Sequence, residues 1–173
     1  MKKLTILMIV LVTLAVVVGL FGQTFSYVGA DKCAFCHKTD AQGRQYPIWK
    51  ASKHSSSFAA LSSPQAADYA TPAGVKDPAT DPKCLKCHAP LADKAPEMKA
   101  EGVSCEVCHG PGSEYKKLSI MKDKAAAVKN GLVLYATPEA IKTQCLTCHE
   151  KAHNLTFDFA PAWDKIKHNI PKS

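Results

Sequence analysis

Cys33, Cys36, Cys84, Cys87, Cys105, Cys108, Cys145 and Cys148 are the only cysteines of this 173-residue chain, and they form four C-x-x-C pairs with none left over. A histidine follows each pair at once: His37, His88, His109 and His149. Two thiols at this spacing could form half a zinc site, a redox pair or a disulfide. With histidine next in line they make the attachment signature of c-type haem. The chemistry accounts for the spacing. Two thiols add to the two vinyl groups on one porphyrin edge, and the adjacent imidazole reaches the iron from one side. A zinc site would set a second C-x-x-C or a histidine pair at finger spacing, whereas successive first cysteines here stand 51, 21 and 40 residues apart. A disulfide framework has no use for a histidine after every pair. The sequence therefore predicts four covalently bound haem c groups, thioether bonds from all eight cysteines, and His37, His88, His109 and His149 as proximal iron ligands.

Four irons have four distal faces, and only His54, His153 and His168 remain of the seven histidines. At least one distal face therefore lacks a histidine of the chain. His54 and His168 are predicted as distal ligands, because imidazole is a usual axial donor to haem. His153 is a further candidate. It follows His149 by four residues, so on a continued helix it shares that residue's face and cannot bind the same iron from the opposite side. Methionine is the other common axial donor, and Met121 is the candidate on a predicted helix; its alternative is an ordinary core methionine.

The N-terminus carries Lys2 and Lys3, then an uncharged apolar run from Leu4 to Phe21. It reads as an export signal over residues 1–26, or, because 18 apolar residues nearly suffice to cross a bilayer, as a retained anchor. Residues 27–173 form the haem domain, placed in the periplasm or otherwise outside the cytoplasm, with membrane contact open through the N-terminal segment. The net charge of +7 falls to +5 without the two leading lysines. Nucleic acid is not an expected partner of an exported chain without a basic stripe. The lysines can offset acidic groups of the cofactor or steer an acidic partner.

Four haems in about 147 residues leave roughly 37 residues each, too few for a conventional apolar core. The expected fold is mostly α with long loops, a multihaem cytochrome c fold in which the haems form the core. Residues 46–61 read as a helix, with Trp49, Lys53, His54, Phe58 and Leu61 marking one stripe that carries His54. Residues 62–83 read as a Pro-rich loop. Residues 112–131 read as a helix capped by Ser113 and Gly131. Another opens at Thr137 and Pro138, and a short last helix carries Trp163, Ile166 and His168. The only strand signal is the run 132–135. The second and third motifs, 21 residues apart, are expected to hold neighbouring haems.

The stretch GVSCEVCHGPGSEY (102–115) resembles the third haem motif of the tetrahaem cytochrome c-554 family. SKHSSSFAAL (52–61) resembles that family's early distal-histidine helix, and TFDFAPAWDKIKH (156–168) its C-terminal segment with a late ligand. In outline the resemblance spans residues 28–168. It implies two closely stacked haem pairs, His54 on the iron of the third motif, His168 on that of the fourth, and a five-coordinate iron at the second. The family's distal histidine for the first haem lies shortly after the Gly-Pro-Gly. Here no histidine stands between His109 and His149, so Tyr115, Met121 or His153 substitutes, or that iron is open too. The resemblance also implies electron exchange with a multihaem oxidoreductase or other cytochromes.

The expected function is electron carriage between respiratory redox partners, with no catalytic residues and no evident enzyme activity. One alternative is a reductase of nitric oxide, nitrite or hydroxylamine at a five-coordinate iron. Another is a membrane-tethered quinol dehydrogenase or a subunit of an extracellular electron conduit.

Overall fold

The computed structural model describes residues 24–150 and 152–168. The predicted signal or anchor lies almost entirely outside the described residues. The described chain is helical, with no strand among these residues, and its helices are short: α1 (Ala30–His37), α2 (Gln45–Ala51), α3 (Ala66–Ala70), α4 (Pro82–His88), α5 (Cys105–His109), α6 (Leu118–Met121), α7 (Lys124–Lys129), α8 (Pro138–His149) and α9 (Phe159–Ile166). Each haem motif closes a helix: α1, α4, α5 and α8 all end on the motif histidine. Cysteines at i and i+3 with histidine at i+4 therefore share one helix face.

Start signals act where the sequence places them. Thr137 caps α8, its hydroxyl accepting from the Ala140 amide at 3.2 Å, with Pro138 at the first helical position. Asp81 caps α4 through the Lys83 amide at 2.8 Å. The helix expected over 112–131 is instead broken in two. Asp123 restarts it by accepting from the Ala125 and Ala126 amides at 2.9 and 3.0 Å, a local side-chain bond that competes with a continuous helix. Gly131 does end α7: at φ 101 it permits the Leu132 amide to reach the Ala127 carbonyl at 3.0 Å, closing a Schellman turn. The helix expected over 46–61 keeps only its first part, α2, and a 3-10 turn at Ala59–Ser62. Serines between them turn the chain through local bonds such as Ser55 Oγ to the Lys50 carbonyl at 2.8 Å. The predicted loop 62–83 contains the single-turn α3. The run 132–135 is extended but pairs as no strand.

The protein's own core is thin. Buried apolar residues include Ala30, Ala70, Ala89, Ala95 and Ala127, with few larger side chains among them, and the largest fully buried side chain is the carboxylate of Glu106. Helix packing sets the motifs in pairs. α1 packs on α5, bringing the first motif to the third, and α4 packs on α8, bringing the second to the fourth. The chain between the second and third motifs passes through the 3-10 segment Pro96–Glu101.

Candidate haem-binding sites

No disulfide joins any of the eight cysteines. Among the described residues no three His, Cys, Asp or Glu side chains converge as a bare metal site requires. A reactive dithiol needs a lowered thiol pKa. Here burial pushes Cys108 up to about 11, and burial also raises Cys84 and Cys145. Burial and a bond to Cys148 push Cys87 up to about 11. Cys33 and Cys105 meet across the α1–α5 contact. Their mutual hydrogen bond lowers Cys33 and raises Cys105.

The motif histidines are oriented by neighbouring backbone and side-chain groups. His88 Nδ1 faces the Ser57 carbonyl at 2.8 Å and His109 Nδ1 faces the Val133 carbonyl at 3.3 Å. His37 Nδ1 faces Gln45 Oε1 at 3.3 Å. An acceptor at Nδ1 keeps the proton there and leaves Nε2 as the metal donor. His149 is held by its flank, stacked on Phe157 with ring centres 4.6 Å apart and planes 15° from parallel. Burial lowers the pKa of His54, His109 and His149, which favours the neutral imidazole that ligates metal.

The rings then meet in pairs, each joining one motif histidine to one of the three others. Ring centres lie 6.2 Å apart for His54 and His149, 6.0 Å for His153 and His88, and 5.9 Å for His168 and His109. Two imidazole nitrogens, each about 2 Å from one metal atom on opposite sides, put ring centres about 6 Å apart. The interplanar angles of 42°, 69° and 46° meet no conflict, because rings on a common axis can rotate about it. This geometry differs from the allotment the resemblance implied. His54 faces the fourth motif rather than the third, His168 faces the third rather than the fourth, and His88 of the second motif has an imidazole opposite it. The pairs use six histidines, and His37 is the seventh.

The other predicted donors are placed as follows. Tyr115 is 5 % exposed and donates its hydroxyl to the Gly110 carbonyl at 2.8 Å, so it serves the Gly-Pro-Gly turn. Met121 sits half-buried at the end of α6. His153 is exposed, beyond the end of α8.

The chain fits haem in two further ways. A cavity of about 480 Å³ is lined by Leu91, Cys108, Val133, Tyr135 and Cys148, so thiols of the third and fourth motifs both open on it. The Ser104 hydroxyl beside Cys105 is buried without a partner, as expected where a neighbouring group is still to be seated.

Two residues outside the motif consensus hold these parts together, and the sequence reading passed over both. Glu106, between Cys105 and Cys108, accepts from the Val28 amide at 3.0 Å, the Gly29 amide at 2.8 Å and the Gly112 amide at 2.6 Å. It fastens the lead-in of α1 and the Gly-Pro-Gly turn to α5. Glu101 adds a bond from the Ala30 amide at 3.0 Å. Ser57 is the second hub. Its hydroxyl lies 2.8 Å from both the His54 and the His88 carbonyls, and it accepts from the Val103 amide at 3.0 Å. The only sequence signal was the polar residue inside an otherwise distinctive string.

Four such motifs on a helical frame, with imidazole ring centres paired about 6 Å apart, have the arrangement of a c-type cytochrome. Residues 32–110 match the family described as cytochrome c554 and c-prime. Cytochrome c-554 of Nitrosomonas europaea is 30% identical over 100 residues, covering 52% of this chain and 40% of that protein. Over these residues the chain is similar to the cytochrome c-554 family. The match takes in about two fifths of that relative's own length. No solved structure matches the chain.

Proposed function

We propose that the chain is an exported tetrahaem c-type cytochrome that carries electrons between redox proteins. The observation that carries this reading is the set of imidazole pairs, each with one member drawn from an attachment motif. Bound haem supplies one-electron iron chemistry, and imidazole on both faces favours low-spin iron at low potential. The chain's part is to hold and orient. Eight cysteines anchor, His37, His88, His109 and His149 ligate proximally, and His54 and His168 close the distal faces of the fourth and third irons. The α1–α5 and α4–α8 contacts bring the attachment points of two motif pairs together. The first iron, at His37, has no imidazole paired with its motif histidine among the described residues, and Met121 is the sequence candidate for its other face. An open first iron is the form in which a small-molecule reductase activity could arise. Redox proteins are the proposed partners, and export rests on the N-terminal segment and on the compartment in which haem attachment takes place.

The test is His54→Ala in the matured protein. All four haems stay attached, since no thiol is touched, and one haem in four changes from low to high spin by electron paramagnetic resonance. An unchanged spectrum would exclude His54 as a ligand.

A further inference from the structure

We infer that His153 is the sixth ligand of the second motif's iron, so that this site is closed in this chain. The inference rests on the cytochrome reading above. Three independent observations carry it.

The first is the separation. The His153 and His88 ring centres lie 6.0 Å apart with planes at 69°, and His88 Nδ1 is engaged by the Ser57 carbonyl at 2.8 Å. The Nε2 atom is thus the one His88 has left for a metal, and its ring faces an imidazole across a gap that suits a single metal atom.

The second is the backbone. His153 holds φ 54 and ψ 27, a left-handed conformation inside the turn Ala152–Asn154. Such a conformation costs a residue with a side chain on the order of 1 kcal/mol or more and persists where the surroundings impose it. Its consequence is directional. A continued α8 would stack His153 over His149, whereas the left-handed residue swings the imidazole across to the second motif. The turn is closed by the Leu155 amide on the Ala152 carbonyl at 3.0 Å.

The third is the support. Tyr69 of α3 lies against the His153 ring with centres 4.2 Å apart. That contact gives the single-turn α3, inside a segment that otherwise reads as loop, a role in holding the ligand in place.

The resemblance implied a five-coordinate second iron. This chain fills that position with a residue from the turn after the fourth motif. The iron without an imidazole opposite its proximal ligand is then the first, at His37.

His153→Gly tests this in the matured full-length chain. Glycine adopts φ near +54 freely, so the turn is kept and only the imidazole is lost. The expected result is one additional high-spin haem per chain, one additional equivalent of carbon monoxide bound on reduction, and return of the parent spectrum on adding free imidazole. In a background with Cys84→Ala and Cys87→Ala, which attaches one haem fewer, the same substitution leaves the spin state unchanged. An H153G protein with the parent's spin state overturns the inference. So does a spin change that persists in the Cys84/Cys87 background, because it places His153 on another iron. A protein that matures with no covalent haem overturns the cytochrome reading itself, and is distinguished from the other outcomes by its mass.

Discussion

Glu106→Ala is expected to destabilise the matured protein by at least ~3 kcal/mol. The carboxylate takes the Val28, Gly29 and Gly112 amides at 3.0, 2.8 and 2.6 Å and is 1% exposed. Each amide left buried without a partner costs ~1–3 kcal/mol, and alanine also opens a cavity that the neighbouring glycines cannot fill. The loss falls where the lead-in of the first motif meets the third, so the α1–α5 contact goes with it. Denaturant unfolding followed by visible circular dichroism measures the effect. Glu114→Ala is the control, since Glu114 only pairs with Lys117 at 2.6 Å on the surface, an interaction worth at most ~1 kcal/mol. Equal midpoints for the two variants would contradict the role given to Glu106.

Gly102→Ala is the second large effect. Gly102 adopts φ 66 and ψ −129, a region that residues with a side chain avoid at a cost of ~1–3 kcal/mol. A Cβ there would also lie 2.5 Å from the His54 carbonyl oxygen and against the Ser57 hydroxyl, and overpacking adds ~1–3 kcal/mol. The segment it would push is the one that carries His54, whose carbonyl accepts from the Val103 amide at 3.0 Å. The expected result combines a lower unfolding midpoint with partial loss of the low-spin signal that His54→Ala removes entirely. A destabilised variant with an untouched low-spin signal would show that the His54 ring is positioned by other contacts.

These two residues also show what the sequence made legible. The cysteines, the motif histidines and the helical class could be read directly, because haem attachment fixes residue types at fixed offsets and α8 has a Thr-Pro start. The supply of three histidines outside the motifs for four predicted irons was a count, independent of folding. Which histidine meets which motif was not legible. It depends on how α1 packs on α5 and α4 on α8, and these contacts join segments about 60 to 75 residues apart in a chain whose apolar core is thin. His153 shows the same limit locally. Its spacing from His149 describes a helix, and a single left-handed residue sends the ring elsewhere. Helix boundaries failed where short polar side chains took over, at Asp123 and in the serine turn of 52–57, because bonds from a side chain to its neighbouring backbone compete with helix continuation. Glu106 was hidden for a different reason: a carboxylate reads as surface, and its burial follows only once three amides are known to converge on it.

Carbon monoxide titration of the reduced, matured protein, scaled to haem content by intact mass, bears most directly on the central claim. The account predicts four haems with no free thiol, and no more than one quarter of the Soret absorbance shifting, since three irons carry imidazole on both faces. A shift of one half or more, or fewer than four haems per chain, would contradict it.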